Sequence, residues 1–407
     1  MAAPKEQEAI AIEAAHRAAQ ARLGLAAAYL ASQNWASVSI TGAGKTGTVW
    51  VDNSLRIINA VRRKSRELAI AYVQLTRAVD MGRTLGEPIS SLTPPSPDVP
   101  SGQMPTPSPT LGDLRKQFTD ILQEVAHIDT APSHDPNPDV SWFEDELRTA
   151  RIEQGRPKPD EINLDNSAID AFIRDMLDKS SGGDSAEIPV DSFDWGPDTT
   201  PEEIDAAFNK VLQEDVLKHQ RNKVKKLQDT PDQTPEELIT AMEQAHAKTG
   251  SIGAGRVDRY GISEGREVLE QVAQKDEYVK AWARGTRPNC CAFCAMLASR
   301  GFIFKSEFAA QFTRNTTTRA GNDASPDMDG GFRLYHDNCK CFPILRWVKK
   351  PTLPPQNATF EAQWKQVTKG YSFSDGKNNA LNAWRRWLSQ QRRSGTLHEV
   401  DINPQTP

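Results

Sequence analysis

From Glu6 to Gln33 the apolar positions Ile10, Ala14, Leu23, Leu25, Ala28 and Leu30 sit in an alanine-rich background, and their spacing predicts a long helix. A short loop or β-like stretch is expected over residues 37–51. A second helix is predicted from Asn53 to Leu85. There Leu55, Ile58, Val61, Leu68, Ile70, Tyr72, Val73 and Leu75 follow a ~3.6-residue period, with Arg62, Arg63, Lys64 and Arg66 between them. Together these segments read as an α-helical hairpin. The pattern then breaks. Residues 87–110 carry Pro88, Pro94, Pro95, Pro97, Pro100, Pro105, Pro107 and Pro109 among serines and threonines, the composition of an extended spacer.

Beyond the spacer, shorter amphipathic runs alternate with polar breaks. Helices are predicted over Leu114–His127, Trp142–Gln154, Asn166–Lys179, Pro201–Leu227 and Leu238–Lys248. Thr200-Pro201-Glu202-Glu203 and Thr234-Pro235-Glu236-Glu237 are the same start signal used twice: a capping threonine followed by proline at the first helical position. Residues 261–285 are predicted helical. Residues 286–345, with the apolar fragment Gly301-Phe-Ile-Phe304, fit a small loop-rich α+β unit. One or two basic helices are expected between Ala358 and Arg393, carrying Trp364, Trp384 and Trp387.

The fold class expected is therefore mainly α: a helical N-terminal region, acidic Pro-rich linkers and a small α+β Cys/His-rich C-terminal module. As domains this gives an N-terminal hairpin over 1–86 and linker with short helices over 87–199. A Cys/His domain follows over 200–348, then a basic helical tail over 349–407. Composition agrees with such an open arrangement. Hydrophobic residues make up 38% and prolines number 27, against ~45–50% apolar in ordinary soluble domains. No run approaches the ~18 apolar residues of a membrane span. Met1-Ala-Ala-Pro-Lys-Glu-Gln-Glu lacks the basic and apolar regions of a secretory signal, so maturation in a reducing cytoplasm is expected and a disulfide framework is not.

Charge is segregated. Residues 128–209 hold 21 Asp+Glu against 6 Lys+Arg, and residues 342–394 hold 10 Lys+Arg against 2 Asp+Glu. Solvated surfaces of opposite sign account for this, and so do different neighbours for the two ends. In the basic segment Lys365, Lys369, Tyr371, Lys377, Trp384, Arg385, Arg386, Trp387, Arg392 and Arg393 interleave cations with aromatics. That pattern suits contact with the phosphate backbone of packaged DNA as well as an amphipathic helix with packed tryptophans.

The chemistry-bearing residues concentrate in one place. All 5 cysteines lie between Cys290 and Cys341, as Cys290-Cys291-Ala-Phe-Cys294 and His336-Asp-Asn-Cys339-Lys-Cys341. C-x-x-C followed by H-x-x-C-x-C offers Cys291, Cys294, His336, Cys339 and Cys341, with Cys290 beside them, as candidate ligands. A structural zinc ion takes four N or S donors. Two other readings stay open. The thiols suit a buried apolar role, and His336 could activate Cys291, Cys294 or Cys339 as a nucleophile, with Asp337 and Asn338 next to it. Gly42-Ala-Gly44-Lys45-Thr46 imitates the end of a phosphate loop. Ser39 stands where that motif needs glycine, and the following Gly47-Thr-Val-Trp-Val-Asp reads as β-like, so a turn is expected. H-E-x-x-H does not occur, and His127, His134, His219 and His246 are scattered.

The run Cys291-Ala-Phe-Cys294-Ala-Met-Leu-Ala-Ser-Arg-Gly301, followed by Tyr335-His336-Asp-Asn-Cys339-Lys340-Cys341 and Pro343, resembles the MuF-like minor head proteins of tailed bacteriophages, the actinophage versions above all. The resemblance covers residues 257–348. It departs at Arg259-Tyr-Gly-Ile-Ser-Glu264-Gly-Arg266, a loose match to the R-T-E-like helix of the family. It implies a head-morphogenesis protein of the virion, in few copies, on the portal and the head interior. It also implies work beside major capsid or scaffold proteins, and assembly in the host cytoplasm. Related proteins are also labelled capsid maturation proteases, which supplies the alternative function.

Overall fold

In a computed structural model the protein is described over residues 4–41, 44–86, 108–128, 167–180, 185–196, 200–231, 233–286, 290–302, 341–371 and 379–394. It is mainly α. Helix α1 (Pro4–Trp35) and helix α2 (Lys45–Met81) form the expected hairpin. The Trp50 indole donates to Ala31 O (2.9 Å), Ser65 Oγ donates to Gln20 Oε1 (2.7 Å), and His16 stacks on Tyr72 with ring centroids 4.2 Å apart. Contacts in that order make the two helices antiparallel. Gly82, at φ 74°, ends α2 and donates its N–H to Ala78 O, a left-handed cap that suits glycine.

Helix α1 is buried on almost every side, because α2, α3 (Leu111–His127), α4 (Ser167–Ser180) and α7 (Pro235–Gly261) all pack on it. Its alanines let those neighbours come close. Helix α3 opens with a capping box between Thr110 and Asp113. The short strand β1 (Thr84–Leu85) pairs in parallel with β2 (Val190–Asp191) and ties the end of α2 to the chain beyond α4. Both Thr-Pro-Glu-Glu signals act as read: Thr200 and Glu203 box the start of α5 (Pro201–Val211), and Thr234 and Glu237 box that of α7. Between α5 and α6 (His219–Gln228) the helix widens to a π-helical turn over Leu212–Lys218, which buries Leu212 and both Val216 and Leu217.

Helix α8 (Ser263–Lys275) lies against α2. Strand β3 (Ala281–Gly285) pairs antiparallel with β4 (Phe342–Arg346), in register Ala281↔Arg346 through Gly285↔Phe342. One continuous hydrophobic core runs from Ala9 in α1 to Trp347 just past β4. A second cluster joins α9 (Ala292–Ala298), α10 (Pro355–Val367) and α11 (Ala380–Arg393) around Phe360, Trp364 and Trp384. No helix among the described residues is long and apolar enough to cross a membrane.

Two local expectations are corrected. Residues 45–51 are the first turns of α2, not a β-like stretch, because Trp50 and Val51 are fully buried there and burial overrides β propensity. The helix expected over 261–285 stops at Lys275. Residues 281–285 become a strand because β4, distant in sequence, supplies its hydrogen-bonding partner. The helix expected over Trp142–Gln154 and most of the proline spacer lie outside the described residues.

Candidate functional site

The β3–β4 ladder ends at the pair Gly285↔Phe342. Thr286 leaves one strand there and Cys341 enters the other, so pairing alone sets them side by side. The Cys341 thiol donates to Thr286 Oγ1 at 3.1 Å. Each backbone is held from outside the ladder. Arg17 Nη1 of α1 donates to Thr286 O (3.2 Å), and Arg266 Nε of α8 donates to Cys341 O (2.9 Å). The loosely matching segment Arg259–Arg266 therefore does structural work here: Arg266 grips the Cys341 backbone, and Glu264 pairs with Arg62 and Arg66 of α2.

From Thr286 the chain reaches the first thiol group. Cys291 is the N-cap of α9, and its Sγ accepts the N–H of Cys294 at 3.3 Å. Cys294, one turn on, points inward against Cys341; each is 1% exposed, and half-buried Cys290 and Cys291 pack on the pair. Of the predicted set, the fold thus brings together Cys291, Cys294 and Cys341. His336 and Cys339 lie outside the described residues. Among the described residues no three His, Cys, Asp or Glu side chains form a metal-binding group by themselves. What the described residues show is sulfurs from two segments packed together, one of which accepts a backbone N–H.

The platform around the thiols is rigid. Asn357 Nδ2 of α10 donates to Arg284 O (3.0 Å) and Ala298 O (2.9 Å), locking β3, α9 and α10 together. The Trp384 indole of α11 donates to Ala292 O (3.0 Å). Gly301, at φ 59°, turns the chain out of α9 directly against Leu353, where a side chain would be strained.

Sequence reasoning missed a buried polar seam between the hairpin and this module. Glu13, His16 and Arg17 of α1 are all buried. His16 is edge-on to Phe342, centroids 5.2 Å apart. Burial pulls the His16 pKa down to about 3 and pushes that of Glu13 up. Asp80 of α2 holds Arg346 of β4 through two contacts, 2.9 and 2.8 Å, and accepts the Trp347 N–H at 3.0 Å. Arg77, fully buried, reaches Asp276 (2.9 Å) and Asp191 (2.7 Å). A signal was present: Arg62, Arg66, Ala69, Val73 and Arg77 recur at helical spacing, so the arginines share a face with core residues.

Residues 186–367 match the sequence model of the VG15 protein family, a phage-type protein family. No curated protein matches the chain, and no solved structure does. The matched span holds β2 through α10 and therefore all the cysteines; α1 and α2 lie before it.

Proposed function

We propose that the chain is a MuF-like minor capsid protein acting in phage head morphogenesis, attached to the portal and facing the head interior. The observation that supports this reading best is the packing of Cys294 on Cys341 inside the span matched by a phage family. Two thiol-bearing segments far apart in sequence are held as one module, which suits a structural protein that must survive assembly and DNA filling. In this reading four of the five candidates Cys291, Cys294, His336, Cys339 and Cys341 supply the ligands of one zinc ion. A site saturated by protein ligands has no open position for chemistry and serves as a staple. The burial of Cys294 likewise favours a structural role for that thiol over that of a maturation protease nucleophile, which needs an open approach. Portal, major capsid or scaffold proteins are the partners, the virion the final location and the host cytoplasm the place of assembly.

Two measurements test it. Elemental analysis of the purified full chain, kept reduced and free of chelators, is expected to give about one zinc per chain. Cys294→Ser should lower that content and speed amide exchange over 287–348 while the α1–α2 hairpin stays protected. A zinc content near zero overturns the ligand assignment. Mass spectrometry of purified particles should find the chain in few copies, cross-linked to the portal protein. Its absence from the particles overturns the head-assembly role.

A further inference from the structure

Among the described residues nothing covers the outward face of α11. Its inward face, Ala380, Ala383, Trp384 and Leu388, is buried against α9 and α10. The opposite side carries Arg385, Arg386 and Arg393, all exposed. Arg385 Nη1 donates to Asn382 Oδ1 (3.1 Å) and Arg393 Nε to Ser389 O (3.3 Å), neutral acceptors that leave both charges in place. Helix α11 contains no acidic residue. Among the described residues none of these arginines pairs with a carboxylate.

We propose that this face of α11 binds the phosphate backbone of duplex DNA without reading its sequence. The geometry argues for phosphates over a lipid surface. A helix lying in a membrane interface presents an exposed apolar face, and α11 turns its large apolar side chains inward: Trp384 and Leu388 are buried, and Trp387 stacks on Trp384 with centroids 5.2 Å apart. Leu381 and Trp387 are half-buried against the cluster, and the exposed positions Arg385, Arg386, Ser389, Gln390 and Arg393 are polar or cationic. Arg386 and Arg393 are a heptad apart, hence on one side of the helix and separated by ~10 Å along it. That distance is close to the ~12 Å width of the major groove of B-DNA, so the two guanidinium groups can reach phosphates on its opposite walls. Helix α11 is fixed to the thiol-bearing helix α9 through Trp384 and Ala292, so the cations sit on a rigid support.

The test uses the full chain and a duplex DNA of arbitrary sequence, with anisotropy measured across a salt series. The affinity should fall linearly on a double-logarithmic salt plot and be the same for an unrelated duplex. Arg386→Gln with Arg393→Gln should reduce the magnitude of the slope by ~1.8, the value for two lost phosphate contacts at ~0.9 each. Lys218→Gln with Arg221→Gln, exposed cations at the start of α6, should leave the slope unchanged. Both substituted arginines, Arg386 and Arg393, are exposed, so circular dichroism and melting should match the parent chain. The proposal is overturned by no binding at low salt, by salt-independent binding, or by an unaltered slope in the α11 variant. Tighter, α11-dependent binding to phosphatidylserine vesicles than to DNA overturns it too. The outcome does not depend on the head-assembly reading: a chain absent from virions can still pass this test, and a portal-bound chain can fail it.

Discussion

Asp80→Ala is the most informative single change, because one carboxylate links the N-terminal hairpin to strand β4. The side chains of Asp80 and Arg346 are each 3% exposed and meet through paired contacts of 2.9 and 2.8 Å. Removing Asp80 leaves a guanidinium buried with its main counter-charge gone, and also orphans the Trp347 N–H. Breaking a buried pair in this way costs about 3–5 kcal/mol, a large share of the ~5–15 kcal/mol that stabilises a typical protein. Asp80→Leu combined with Arg346→Met removes both charges. The main remaining loss is the partner of the Trp347 N–H, ~1–3 kcal/mol, so the double variant should be more stable than Asp80→Ala. Urea unfolding followed by tryptophan fluorescence measures all three chains, and a single transition would mark hairpin and module as one cooperative unit. A loss below ~1 kcal/mol for Asp80→Ala would refute this account of the seam. So would a double variant no more stable than Asp80→Ala.

Four further outcomes are expected. Buried neutral His16 has its pKa lowered from 6.5 to about 3, so the unfolded chain binds the extra proton between those values. Stability should fall as pH drops through that window by up to ~1.4 kcal/mol per unit, and a melting series on His16→Gln should lose that component. Asp191 is held down to about 2, chiefly by its hydrogen bond from Arg83 and also by Arg77. Its contribution is complete above the ordinary carboxylate range and disappears as pH falls towards 2, so Asp191→Asn should flatten that limb of the acid titration. Gly265→Ala would drive a methyl to within 2.7 Å of the Ser65 backbone oxygen and should cost ~1–3 kcal/mol in chemical denaturation. Trp384→Ala should cost ~3–5 kcal/mol by emptying the core of the α9–α11 cluster. Hydrogen exchange should rise in α9, α10 and α11 and stay unchanged in α1.

The helices were largely legible because their signals are local. Apolar spacing locates α1 and most of α2, and each Thr-Pro-Glu-Glu start encodes its own capping box within four consecutive residues. The cysteine spacing singled out the candidate ligands, and C-x-x-C places Cys291 and Cys294 on one short turn. What was not legible depends on partners remote in sequence. Residues 47–52 look β-like until Trp50 is seen inserted against Ala31, and residues 281–285 look helical until Phe342–Arg346 arrives beside them.

The same division explains the arginines of α2. Helical spacing sets Arg62, Arg66 and Arg77 among core positions, and only the tertiary structure supplies Glu264, Asp191 and Asp276 as their buried partners. The amino-acid sequence by itself determined the mainly helical class, the helix starts and the thiols available for a joint site. Tertiary structure decided that Cys294 meets Cys341 and that the hairpin is welded to the cysteine module. Short-range hydrogen bonding and periodicity are written within a few consecutive residues. Which charge is desolvated beside which other, and which sulfur faces which, exists only once the chain has folded back on itself.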